Sequence, residues 1–161
     1  MKNHVWKKVV AICLAAVILA GSGVQPAEAA AGYQFKYKGV TVTMHSAAKK
    51  FLKKAGKVQK KKVKKSCAYK GKDRTYQYKD FIFYTYSKSE KGAEYVMGIT
   101  FRTNKVSTKE GVKIGSPESL VTKKYGKAKA KFGIYTYTRG KSKLQFEITN
   151  KKVSNIRYVT K

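Results

Sequence analysis

The stretch VKIGSPESLVTKKYGK at residues 112–127 repeats, loosely, the stretch VTMHSAAKKFLKKAGK at residues 42–57. The offset is a constant 70. Val112 falls over Val42, Ile114 over Met44, Ser116 over Ser46 and Val121 over Phe51, with Lys-Lys and Gly-Lys in register after them. Further matches follow in the same order at changing spacing. Tyr76-Gln77-Tyr78 pairs with Tyr135-Thr136-Tyr137, and Phe81-Ile82-Phe83 with Leu144-Gln145-Phe146. Val96-Met97-Gly98-Ile99-Thr100-Phe101 pairs with Val153-Ser154-Asn155-Ile156-Arg157-Tyr158. Kept order with drifting spacing is the pattern of a diverged structural repeat.

Each copy reads as one helix followed by at least three strands. Ser46 and Ser116 are placed as N-caps, Pro117 at the first helical position, and Gly56 and Gly126 as left-handed terminators. Glu118 in the first turn and Lys123 and Lys124 in the last suit the helix dipole. Ala48, Phe51, Leu52 and Ala55 form one apolar helix face, and Leu120, Val121 and Tyr125 the other. Strands rich in Tyr, Phe, Ile and Thr are expected near 66–70, 75–79, 80–86 and 94–102, then near 133–138, 143–149 and 153–159. The expected class is α+β: two tandem helix-plus-antiparallel-meander repeats forming a concave sheet backed by helices. The boundaries are a leader at 1–29, a first repeat at 30–106 and a second at 107–161.

The leader is read from a basic start (Lys2, Lys7, Lys8), an uncharged run at 9–20 and an Ala27-Glu28-Ala29 cleavage pattern. Its apolar core is short of the roughly 20 residues a permanent span needs, so no transmembrane segment is expected after cleavage. Removal of residues 1–29 takes three lysines and one glutamate from the whole-chain charge of +29, leaving 132 residues carrying +27. The mature chain keeps one cysteine, Cys67, and one histidine, His45. Internal disulfides are therefore impossible, and a packed core must hold the domain. Cys67 reads as a small buried hydrophobe at a strand start, with a reactive thiol or an intermolecular bridge as the alternative.

The V-x-I-G-S-P opening at 112–117, the Lys-Tyr-Gly helix end at 124–126, and the segments SCAYKGKD (66–73) and TKEGVKIG (108–115) resemble the β-lactamase inhibitor protein (BLIP-like) superfamily. They are also similar to secreted proteins of Gram-positive anaerobes in its neighbourhood. The resemblance spans about 130 residues at repeat level. It implies a concave sheet with helices behind it and use of that face to bind another protein. The chain departs from the pattern in lacking disulfides and any counterpart of the inhibitory loop, so no inhibitory residue is carried over.

Ten lysines stand within residues 49–65, and the stretch after Gly56 reads as a solvated loop or frayed strand. The mature chain has 30 lysines against four arginines. Base and phosphate recognition by bidentate contacts favours arginine, whereas lysine is a hydrated point charge suited to diffuse attraction. Specific nucleic-acid binding is thus not expected. One His and one Cys exclude multi-His and thiolate metal sites. A Cys67–His45 pair is the one conceivable thiol dyad, and nothing around Cys67 has the form of a nucleophile motif. No phosphate-cradling glycine loop is present. No catalytic residue, cofactor or metal site is expected.

Two functions from different classes remain. One is a secreted, non-enzymatic binding protein that meets a protein partner on the sheet face, with Tyr84, Tyr86 and Tyr137 as contacts. The other is a lysine-rich surface protein held by charge to anionic wall polymer or membrane, with Lys60, Lys61, Lys62, Lys64 and Lys65 as the binding set. Either way the protein is expected to be secreted, with charge able to hold it at the cell wall.

Overall fold

The computed structural model describes residues 32–161. The leader and its cleavage site lie outside the described residues. Nine strands dominate: β1 (Gln34–Tyr37), β2 (Val40–Thr43), β3 (Lys60–Lys65), β4 (Lys72–Gln77), β5 (Phe81–Ser87), β6 (Glu94–Phe101), β7 (Ile134–Arg139), β8 (Ser142–Thr149) and β9 (Lys152–Thr160). Among the described residues, two short helices, α1 (Lys49–Lys54) and α2 (Glu118–Tyr125), interrupt them. β1 and β2 form a hairpin of their own, and the other seven form one antiparallel sheet in the order β3-β4-β5-β6-β9-β8-β7.

The expected helix-backed α+β class is overturned: the protein is mostly β. The helices have six and eight residues and bury completely only Phe51 and Val121, respectively. Six residues make under two turns, and lysines on the remaining faces leave α1 a narrow apolar stripe. What seats on the sheet's centre is the β1–β2 hairpin. Phe35 is fully buried, with ring centroids 5.4 Å from Phe81, 5.6 Å from Phe101 and 6.0 Å from both Phe51 and Tyr158. The hairpin turns through Lys38 (φ 45°) and Gly39 (φ 76°). Positive φ at both central residues is the type I′ geometry that matches strand twist.

What the halves share is hydrogen-bond geometry. The Ser46 hydroxyl accepts from the Thr43 N–H at 3.2 Å, and Ser116 accepts from the Lys113 N–H at 3.1 Å. The Val96 and Val153 N–H groups donate to the Ser46 and Ser116 carbonyls at 2.9 and 2.8 Å. These serines close a turn ahead of each helix and are not N-caps; Ala48 and Pro117 occupy the cap positions without side-chain bonds. Both β5–β6 and β8–β9 slip register at matched places, between Tyr84 and Thr85 and between Glu147 and Ile148. The slips leave Met97 and Ser154 as the extra residues of two equivalent bulges. In the β6–β9 pairing, Thr100 stands opposite Arg157, its own match. A local two-fold axis through that pair therefore relates the two meanders.

One layer of core lies between the sheet and the elements over it. Phe51 stacks on Phe83 at 4.4 Å, and Tyr125 sits 5.0 Å from Phe146 and 5.3 Å from Tyr137. Burial, first of all, raises the Tyr76, Tyr125 and Tyr158 hydroxyls well above the ordinary value of 10.0. A group whose folded pKa is raised contributes stability that is intact below the unfolded pKa and lost as pH rises past it. Stability is therefore expected to hold up to about pH 10 and to fall above it as the unfolded chain's tyrosines ionise. Absorbance titration should show tyrosinate appearing together with loss of near-UV circular dichroism. A smooth titration centred on 10, with the fold intact, would contradict the burial.

Candidate functional site

β3 reads KKKVKK, and all six residues are exposed. Of the two readings of the lysine run, loop or frayed strand, residues 60–65 take the second, and the strand expected at 66–70 is a loop instead. β3 pairs with β4 on one side only, from Lys60 opposite Gln77 to Lys65 opposite Lys72. At a sheet edge the backbone gains its hydrogen bonds while the ammonium groups stay in water, so charge density does not prevent pairing. Edge lysines also discourage a second chain from adding on.

Side chains alternate along the strand. Lys60 and Lys62 flank a shallow groove with Thr75, Gln77 and Ile82 on the sheet's open face. Lys61 turns to the covered face, its Nζ 5.2 Å from the Tyr76 ring centroid. Lys60, Lys62 and Lys64 share the open face and recur about every 7 Å, so that side of the edge presents a rail of positive charge, while Val63 separates Lys61 from Lys65 on the other.

Acids do not neutralise this rail. Glu94 accepts from the Tyr76 hydroxyl at 2.9 Å and the Thr85 hydroxyl at 2.7 Å, and pairs with Arg74 at 3.4 Å. Glu110 accepts from Tyr125, and Glu118 from Tyr135. Asp80 accepts from Thr103 at 2.7 Å, and Glu147 from Asn155 at 3.5 Å. Glu90 meets Lys72 at 3.9 Å. Lys64 stands opposite Asp73 in register, but no β3 lysine forms an ion pair among the described residues.

The three tyrosines singled out from sequence are not brought together. Tyr84 is half-buried on the open face, across from Gly98. Tyr86 shares that face but is buried, because Tyr69 stacks on it at 4.9 Å and the His45 Nδ1 meets its hydroxyl at 3.1 Å. Tyr137 lies on the covered face, buried, its hydroxyl donating to the Gly126 carbonyl at 2.9 Å.

A recess of about 210 Å³ opens beside Tyr86, lined by His45, Cys67, Tyr69, Asp73 and Met97 among others. Cys67 is exposed there, not buried at a strand start as the sequence suggested. Tyr69 and Tyr95, which wrap Tyr86, were not read as site residues. The repeat held a signal for this region. His45 adopts φ 65° where its match in the second copy is Gly115 at φ 87°. A side chain has replaced glycine at a left-handed position, a conformation that costs a non-glycine residue energy. Among the described residues, no group of three or more His, Cys, Asp or Glu stands together as metal donors.

No family profile matches the chain, and no curated protein matches it. Among solved structures, an extracellular protein containing an SCP domain from Bacillus anthracis str. Ames is similar at 15% identity with a TM-score of 0.40. The likeness covers 73% of this chain and 44% of that one, so the chain spans under half of that protein's length. A likeness this weak carries neither fold nor function across.

Proposed function

We propose that this chain is an exported, non-enzymatic protein that associates with an anionic phosphate polymer of the cell envelope, using the lysine edge of β3 as its principal contact. The observation that carries this reading is the division of charge. Five of the seven carboxylates among the described residues face tyrosine, threonine, asparagine and arginine groups; Glu90 meets Lys72 and Asp73 stands opposite Lys64, yet the β3 lysines are exposed and form no ion pair there. Uncompensated charge arrayed along one edge raises the local concentration of a polyanion and releases its counterions on contact. Lysine suits this role because a flexible polymer needs no fixed bidentate geometry. A second reading, a protein partner on the open sheet face, is supported by Tyr84 and Ile82, which lie half-buried there.

Salt separates the two. Titration of the exported protein with a purified glycerol phosphate polymer, repeated across ionic strengths, is expected to give a log–log slope of about −4 or steeper. An affinity unchanged by salt would overturn the polymer reading and leave the aromatic face as the better candidate.

A further inference from the structure

Among the described residues, Phe132 is the aromatic residue that the fold gives no packing reason to keep. It is 91% exposed, far more than Val63 at 51% or Tyr69 at 41%. It occupies the tip of a two-residue turn closed by reciprocal backbone bonds between Lys131 and Ile134, at 3.0 and 3.1 Å. Phe132 has φ 52° and Gly133 φ 73°. That is again type I′ geometry, which selects Asn-Gly or Asp-Gly because the first residue must be left-handed. A bulky aromatic is a poor choice there on conformational grounds. Local rules broken without a folding benefit point to function.

The surroundings define the occupant. The approach to the tip reads Lys127-Ala128-Lys129-Ala130-Lys131, and all three lysines are exposed. The Lys131 Nζ lies 5.8 Å from the Phe132 ring centroid. The Ile148 N–H donates to the Gly133 carbonyl at 2.9 Å, which brings the β8–β9 turn and its exposed Lys151 to the same end of the sheet. A protein partner would demand an extended, closely packed apolar patch around an anchor residue. Here the anchor protrudes alone, with Lys131 beside its ring, Lys127 and Lys129 exposed on the approach, Lys151 exposed on the adjoining turn, and Glu147 opposite Ile134 behind it. A bilayer interface makes no demand for shape. It accepts a single aromatic ring below the headgroups while ammonium groups contact anionic lipid.

We propose that the Phe132 turn is a membrane-docking tip, with the ring entering the interface of an anionic bilayer and Lys127, Lys129, Lys131 and Lys151 meeting its headgroups. This rests on observations separate from the β3 edge, and the two readings fail independently.

The test uses the exported chain and sedimentation with vesicles of phosphatidylcholine and phosphatidylglycerol in equal parts. Phe132→Asn installs the residue the turn prefers, so its thermal midpoint should equal or exceed that of the parent. Its vesicle partition is expected to fall about tenfold, the loss of one interfacial aromatic. Its affinity for glycerol phosphate polymer should be unchanged. Phe132→Trp should keep partition, and its emission should move to the blue on adding vesicles, since residues 30–161 contain no other tryptophan. Vesicles of phosphatidylcholine alone should bind much more weakly. Undiminished partition of Phe132→Asn, or an unshifted Phe132→Trp emission with vesicle-bound protein, would overturn the proposal. Equal binding to both vesicle types would overturn its lysine half.

Discussion

Phe35→Ala is expected to destabilise the protein by about 4 kcal/mol, the cost of truncating a fully buried phenylalanine. The residue lies in β1, yet its ring meets side chains from α1, β5, β6 and β9. It therefore fastens the β1–β2 hairpin over the junction of the two meanders, where Phe101 and Tyr158 come from matched positions. Loss of the ring removes apolar burial, leaves a cavity where the sheet can relax least, and forfeits several edge and tilted ring contacts. Against a total stability of about 5–15 kcal/mol for a domain of this size, that is a large fraction. A fall in thermal midpoint of about 15 °C should accompany it. A change of only a few degrees would mean that the hairpin does not hold the core, and that the short helices matter more than their burial indicates.

The second large effect is on binding. Replacing Lys60, Lys61, Lys62, Lys64 and Lys65 with glutamine should lower affinity for glycerol phosphate polymer by about five thousandfold at low salt, given about 1 kcal/mol for each lysine at an anionic surface. The salt slope should flatten by somewhat less than one unit for each contact removed. Thermal stability should hold or rise, because the exchange keeps the β3 backbone pairing with β4 and removes like-charge repulsion along an exposed strand. A parallel loss of stability and binding would show that the lysines act through the fold and not as contacts.

Much of the strand pairing could be read from sequence because burial enforces alternation. Phe81 and Phe83, like Leu144 and Phe146, must face the same side, and a one-residue slip would expose them all. That is why residues aligned by type, such as Val96 with Val153 and Ile99 with Ile156, occupy matched buried positions. The lysine strand was not legible in this way. Residues 60–65 have no buried face, so hydrophobic period says nothing of them; only the free edge of β4 makes them a strand. The β1–β2 hairpin did leave a signal, Lys38-Gly39 between QFKY and VTVT, but a lysine at the first turn position hides it. The helices were over-read because their apolar residues are spaced correctly while each element is too short to form a layer. Of the site, the lysines could be named from density alone. The separation of Tyr84 from Tyr137 depends on which strand face is covered, and the burial of Tyr86 depends on a loop, 66–70, that folds back over it. Neither is a property of local sequence.

Charge position, as distinct from charge amount, is the heart of the polymer reading. The most direct measurement compares two variants of equal net charge. One carries glutamine at the five β3 lysines; the other carries it at Lys105, Lys113, Lys123, Lys124 and Lys161, all exposed and off the β3 edge. Affinity for glycerol phosphate polymer, measured at several salt concentrations, should collapse in the first variant and fall only modestly in the second. Equal losses in both would contradict a defined interface on β3 and leave the lysines as a diffuse charge without a site.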